Sequence, residues 1–262
     1  VHQAGLKVII DFVPNHVARD YADFTAAHPA PTGMTSLGEQ DDSSVHWKEE
    51  NDFFYYPGKA LRLPVENQTY VEIPAKASGN AYTAEPGVND WYDTIKLNYC
   101  DTPSMTWSKM FDIVAFWASA GVDGFRCDMV ELVPPEFFKW LISRVKKLYP
   151  HIIFVAEVYQ KTLYAKYIRE VGFDLLYDKS GMYDAVRAIV EKNVNDSGVP
   201  VEAWQSTKRI TGNWQFLGDL QPYMLNFLEN HDEQRFASDF FGKDAKNSFA
   251  ALYASLLLNQ AP

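Results

Sequence analysis

With 262 residues, 47% hydrophobic and 22% charged, the chain can bury a sizeable core as one large domain or two modest ones. Its net charge of −10 argues against the basic stripe that nucleic-acid binding needs. It carries no run of about 18 apolar residues, so no membrane span is written in it.

The first residues, VHQAGLKVII, have no basic head and no cleavage site, so they are no signal peptide. They read as a helix tail, a cap at Gly5 and then a strand, as expected of a piece cut from something longer. Residues 8–13 (VIIDFV) form the first predicted strand. Residues 18–103 are rich in Pro, Gly, Asn and aromatics, with no long helical stripe. That is too long for a strand–helix loop and predicts an inserted subdomain. In 104–120, Trp107, Met110, Phe111, Val114 and Trp117 recur at three- and four-residue steps, predicting a helix closed by Gly121. A strand at 122–129 follows, then a helix at 135–149 opened by Pro135 and stopped by Pro150. Further strands are predicted at 152–158, 173–177 and 223–228. Near-continuous apolarity over such short runs suits strands buried on both faces, and their alternation with helices predicts an α/β architecture with parallel strands. Cys127 sits inside an apolar run and reads as a buried free thiol; with only Cys100 beside it, the redox compartment and localisation stay open.

The reactive side chains fall at the carboxyl ends of these strands. Asp11, Asn15 and His16 close the first, Arg126 and Asp128 the second, Glu157 the third, and His231 and Asp232 follow the last. One Asp after a strand is ordinarily a helix N-cap. Four such clusters on four parallel strands instead point to a single cleft, because strand C-termini gather on one face of a barrel. Arg126 and Asp128 are two apart and so share a strand face, where the guanidinium is expected to keep the carboxylate ionised. Glu157 follows the apolar Phe154-Val155-Ala156, which is expected to desolvate it and favour its protonated form. Two carboxyl groups with opposed environments are the requirement of glycoside hydrolysis, and stand about 5–5.5 Å apart in the retaining version.

The stretches DFVPNH (Asp11–His16), GFRCD (Gly124–Asp128), the Glu of FVAEV (Glu157) and NHD (Asn230–Asp232) resemble, in this order, the four short motifs of the α-amylase superfamily of glycoside hydrolases. A fifth family motif, ending in Leu-Asn, resembles Ile95-Lys96-Leu97-Asn98. The resemblance implies a (β/α)8 TIM barrel, here incomplete with about five strands. It implies barrel parts at residues 1–17 and 104–262, with a domain B-like insertion at 18–103. The parent protein would then be the enzyme, and activity of this piece alone is left open. Missing strands would leave open sheet edges.

Carried over residue by residue, the resemblance makes Asp128 the nucleophile and Glu157 the general acid/base. It makes Asp232 the group that holds sugar hydroxyls and stabilises the oxocarbenium-like transition state. His16 and His231 would hydrogen-bond the same glucose, Arg126 would orient Asp128, and Asp11 would be a structural acid near Arg126. The implied substrate is an α-glucan or maltooligosaccharide, cleaved at α-glucosidic, chiefly α-1,4, bonds. 4-α-Glucanotransferase and α-glucosidase activity remain alternatives, and a non-catalytic barrel subunit is a remote one. A metal-dependent barrel enzyme is disfavoured, because Arg126 and two histidines, not further ligands, surround the acids.

The sequence also departs from the family pattern. Glu131 and Leu132 stand where many α-amylases carry a Lys-His pair that grips the leaving-side glucose. Lys96 stands where the family commonly places a calcium-binding Asp, although Asn15 matches another family ligand. No cofactor is therefore certain. Lys96 is expected to bridge the insertion to the barrel near Asn15 in place of calcium. Arg235, three residues after Asp232, is similar to glucosidase-like members. Trp47, Tyr55, Tyr56 and Trp91 are the candidate aromatic walls of the cleft.

Overall fold

The apolar run at 8–13 becomes β1 (Ile9–Phe12), preceded by one 3-10 turn, His2–Ala4, that ends on Gly5 at φ 72°. A computed structural model describes residues 1–21, 33, 35–100, 102–191, 207–246 and 248–257. Parts of the predicted insertion, and residues 258–262, lie outside them. The chain divides into two compact units, Val1–Ile152 and Ile153–Pro262.

In the first unit β1 is followed by β2 (His16–Ala18), β3 (Tyr55–Tyr56), β4 (Ala75–Lys76) and β5 (Thr94–Lys96). Next come α1 (Met105–Ser119), β6 (Gly124–Cys127) and α2 (Pro135–Leu148). β1 and β6 pair in parallel, with Asp11 opposite Arg126 and Phe12 opposite Cys127. Parallel partners need a long crossover, and the whole 18–103 segment plus α1 supplies it. Across this stretch β2, just before the segment, pairs antiparallel with β5, and β3 pairs with β4. Two- and three-residue strands carry no legible alternation, so these small sheets were not expected from the sequence.

α1 buries Trp107, Met110, Val114 and Ala118 on one stripe, and Gly121 at φ 96° lets the chain reverse into β6. α2 begins with Pro135 at its first turn and buries Phe137, Phe138, Leu141, Ile142 and Val145. Trp107 meets Phe137 and Trp140 edge-on at 5.5 Å, so the two helices lock through aromatic rings. β6 is buried along its length, as its continuous apolarity predicts. β1 is not: Ile9 is 46% exposed. Its one described partner is β6, so the expectation of burial on both faces fails for β1. Cys100 and Cys127 are both free thiols, and Cys127 is buried, which raises its pKa.

The second unit runs β7 (Ile153–Ala156), α3 (Tyr164–Lys166), β8 (Leu175–Tyr177), α4 (Asp184–Glu191), α5 (Lys208–Leu217), β9 (Met224–Leu225) and α6 (Phe249–Leu257). α3 widens into a π-helical turn, Tyr167–Val171, before Gly172 at φ 100° ends it. β8 pairs in parallel with β7 on one side and β9 on the other. Behind β9, Met182, Tyr183, Val186, Leu228 and Phe241 form a buried cluster. All five strands read from the sequence are thus present, each parallel to a neighbour within its unit.

Candidate active site

In the first unit the β1–β6 register sets Asp11 across from Arg126, and strand alternation puts Asp128 on the same face as Arg126. Arg126 Nη1 donates to Asp128 Oδ1 at 2.6 Å and to Asp11 Oδ1 at 3.0 Å. Arg126 is 7% exposed, so both are charge-assisted contacts partly shielded from water. The backbone N–H of Asp128 donates to the Phe12 carbonyl at 2.9 Å, tying the residue to β1. Immediately afterwards Met129 adopts φ 42°, ψ 47°, and a 3-10 turn, Val130–Leu132, follows. A non-glycine residue in the left-handed region costs about 1–3 kcal/mol and persists only where its surroundings impose it. Asp128 is therefore held by strand register before it and by a strained turn after it.

His16 enters from β2. Asn15 donates its side-chain amide to the Gly79 carbonyl at 2.9 Å, and Trp91 packs on the His16 ring at 5.2 Å. A Cβ on Gly79 would stand 2.9 Å from Trp91 and 3.2 Å from His16, so only glycine fits there. Burial holds the His16 pKa below its usual 6.5; the Asp128 charge opposes this and the Lys96 charge adds to it. The imidazole is accordingly neutral near pH 7, able both to donate and to accept.

Lys96 pairs in register with His16 and is 7% exposed. Its ammonium donates to the Asn15 side-chain oxygen and, at 3.0 Å, to the Leu132 carbonyl. It thus ties β5 to the residue just before β2 and to the turn after Asp128. Calcium does not fit this position. The ammonium already uses the oxygens a dication would need, and at about 4 Å each unit of like charge costs about 4 kcal/mol.

Burial brings the Lys96 pKa down to about 8. The folded value lies below the unfolded 10.5, so the unfolded chain binds more protons between about pH 8 and 10.5 and stability rises across that window. Relative to Lys96→Met, wild type should gain up to about 3 kcal/mol of unfolding free energy between pH 8 and 10.5, measured by urea denaturation. Its melting temperature should be the same in EDTA and in calcium. A calcium-dependent rise would overturn the assignment.

In the second unit Glu157 lies just past the end of β7 and is 3% exposed. The Tyr159 hydroxyl donates to Glu157 Oε1 at 3.2 Å. Asp232 lies in the loop after β9, with His231 Nε2 at 3.3 Å from its carboxylate and both side chains open to solvent. Asn230 shapes this loop by accepting from the backbone N–H groups of Asp232 at 3.0 Å and Glu233 at 2.8 Å. Glu233 anchors it from behind, on Lys179 at 3.0 Å, Arg187 at 3.2 Å and the Tyr183 hydroxyl at 2.9 Å. The negative charges of Glu157, Asp232 and Glu233 all act on the Tyr159 phenol and, with burial, hold its pKa well above 10.

The structure gathers Asp11, His16, Arg126 and Asp128 in the first unit, and Glu157, His231 and Asp232 in the second. Sequence reasoning missed Tyr159 and Glu233. It also misassigned Tyr55, which is 5% exposed and donates its hydroxyl to Asp41 at 3.0 Å, making it core rather than a cleft wall. Trp47 is open to solvent and donates to Asn98 at 3.2 Å, and Tyr56 packs on His46 at 4.8 Å. Arg235 pairs with Glu229 at 2.6 Å.

A model of the alpha-amylase catalytic domain matches residues 1–261. Among curated proteins, an alpha-1,4-glucan:maltose-1-phosphate maltosyltransferase of Corynebacterium pseudotuberculosis (strain 1002) is 32% identical over 101 residues, covering 38% of this chain and 15% of that protein. Its namesake from Rhodospirillum rubrum is 37% identical over 71 residues, covering 27% of this chain and 10% of that protein. Among solved structures, the cyclic alpha-maltosyl-(1→6)-maltose hydrolase from Arthrobacter globiformis superposes with a TM-score of 0.61 at 18% identity, over 99% of this chain and 50% of that one. A debranching enzyme from Nostoc punctiforme gives 0.63 at 19%, over 98% and 48%. An alpha-amylase from H. orenii gives 0.61 at 21%, over 97% and 48%. The chain thus spans about half the length of these solved structures and a much smaller share of the curated relatives. At such identities the structural likeness speaks for the fold.

Proposed function

The chain belongs to the alpha-amylase family of catalytic domains, and from that premise we propose that its parent protein is a retaining enzyme acting on α-glucosidic, chiefly α-1,4, bonds in starch or maltooligosaccharides. We take the chain to be part of a (β/α)8 barrel, with residues 18–103 as a domain B-like insertion between 1–17 and 104–262. In this scheme Asp128 attacks the anomeric carbon while Glu157 protonates the leaving oxygen. The covalent glycosyl–Asp128 ester is then released when Glu157, now ionised, takes a proton from the incoming acceptor. Asp232 steadies the sugar hydroxyls and the developing positive charge, and His16 and His231 hydrogen-bond the same glucose.

The observation that carries this proposal is the Arg126 guanidinium, shared at 2.6 Å with Asp128 and at 3.0 Å with Asp11. A guanidinium so placed aims the nucleophile. Asp11 offsets the excess positive charge, so attack on the sugar is not opposed by a bare cation. A neutral His16 beside it suits a ring that must hydrogen-bond hydroxyls without repelling an oxocarbenium centre.

Transfer to an acceptor other than water is the second reading, favoured by the maltosyltransferase names of the matched relatives. The expected substrate is a maltooligosaccharide, and among the described residues no helix is long and apolar enough to cross a membrane. Time-resolved chromatography of maltoheptaose incubated with the full-length parent tests these readings. Maltose and mid-sized fragments appearing together from the start indicate endo hydrolysis, glucose accompanied by maltohexaose an α-glucosidase, and products longer than the substrate a transferase. Products of inverted anomeric configuration would overturn the retaining mechanism.

A further inference from the structure

The task given to Asp232 is demanding for its setting: its side chain is 51% exposed and stands in a loop. A carboxylate that acts at a reacting centre has to be held to within about 0.5 Å. Two sets of ties restrain this loop. The first is local. The Asn230 side chain accepts from the backbone N–H groups of Asp232 at 3.0 Å and Glu233 at 2.8 Å, and Glu229 accepts from the Phe236 N–H at 3.0 Å. Such bonds give the loop its shape but do not fix where the shaped loop stands.

The second set runs through Glu233 to a distant part of the unit. The π-helical turn Lys179–Tyr183 leads directly into α4, and Lys179, Tyr183 and Arg187 recur along this run every four residues, on one stripe. All three meet one carboxylate. Lys179 Nζ lies 3.0 Å from Glu233 Oε1, while the Tyr183 hydroxyl and Arg187 Nη1 donate to Oε2 at 2.9 and 3.2 Å. The stripe is itself restrained: Lys179 meets Asp184 at 2.8 Å, Arg187 meets Glu191 at 2.6 Å, and the buried Tyr183 ring stacks on Phe227 at 4.9 Å. The Glu233 side chain is 14% exposed, so its charge-assisted contacts are partly shielded from water.

We infer that Glu233 is a positioning residue for Asp232: its carboxylate, clamped by Lys179, Tyr183 and Arg187, seats the 230–233 turn on the helical stripe and so fixes where Asp232 presents its charge. This rests on the reading of Asp232 as transition-state stabiliser. Glu233 itself meets no substrate and transfers no proton.

Glu233→Gln keeps the side chain's length and removes the charge that Lys179 and Arg187 hold. In the full-length parent it should lower kcat/KM on an aryl α-glucoside by about ten- to hundredfold, and weaken binding of the protonated iminosugar 1-deoxynojirimycin by a similar factor. A general weakening of the fold could do both, so the deciding measurement is a double-mutant cycle read on the iminosugar Kd. On top of Asp232→Asn, Glu233→Gln should cost less than about twofold, because the charge it positions has gone. Equal losses in both backgrounds overturn the inference, as does the absence of a loss in the wild-type background. Tyr183→Phe, which takes away one donor and leaves the stacked ring, should repeat the pattern at about threefold, and it carries the test if Glu233→Gln fails to fold. Amide exchange in the same protein judges the clamp apart from catalysis. The Asp232 and Glu233 N–H groups should exchange at least about tenfold faster in Glu233→Gln, and unchanged rates overturn the clamp. Should Asp232→Asn alone leave both kcat/KM and the iminosugar Kd intact, the stabiliser reading fails, while the exchange rates still decide whether Glu233 holds the loop.

Discussion

Replacing Asp128 by asparagine should lower kcat/KM of the full-length parent on an aryl α-glucoside by about 10⁴-fold or more, a loss typical of removing a residue that acts at the reacting centre. The change keeps size and leaves Arg126 its contact with Asp11 at 3.0 Å, so the first unit should stay folded. An amide cannot displace a leaving group from the anomeric carbon at a useful rate. Asp128→Ala with added azide is the complementary measurement. Azide should enter the vacated space, form the C1–N bond as the aryloxide leaves, and yield the β-glucosyl azide. A loss of less than tenfold in Asp128→Asn would remove Asp128 from the nucleophile's role.

The largest effect on stability should come from Asp52, far from that chemistry in purpose though in the same unit. Asp52 is fully buried and accepts from Lys109 Nζ at 2.5 Å, the Thr106 hydroxyl at 2.8 Å and the Gly38 N–H at 2.8 Å. Lys109 and Thr106 lie on α1, so this carboxylate fastens the helix to the 18–103 segment. Asp52→Ala strands a buried ammonium and should destabilise the unit by about 3–5 kcal/mol in urea unfolding. Asp52→Leu combined with Lys109→Met should cost markedly less, because a buried ion pair is expensive to break but not to replace. Equal losses in the single and double variants would show that the pair is not the cause. By contrast, Arg235→Ala, which breaks a pair whose arginine is 77% exposed, should change stability by less than about 1 kcal/mol.

The parallel strands and the first two helices were legible because their signal is local. Six-residue apolar runs, a Pro135 start and a Gly121 stop need no tertiary information. The candidate acids were legible for the same reason, each standing at the end of such a run. Tyr159 was available by the same i, i+2 reasoning that joined Arg126 to Asp128, yet a tyrosine two residues beyond an acid looks like one more aromatic. Glu233 had no usable signal at all. Its partners Lys179, Arg187 and Tyr183 are about 50 residues away in sequence, and only the folded loop brings them together. Tyr55 failed for the opposite reason: an aromatic in that stretch suited a cleft, but Asp41 captures its hydroxyl within the 18–103 segment.

Met129, with its backbone at φ 42°, gives the residue after Asp128 an unusual evolutionary position. Glycine or asparagine there would release the strain, so a library ranked only by heat tolerance should drift toward them. The same relaxation frees the turn that fixes Asp128, and a library ranked by turnover should drift back. Two selections on one codon would thus pull in opposite directions, and whichever residue a lineage carries at 129 records which pressure it last answered to.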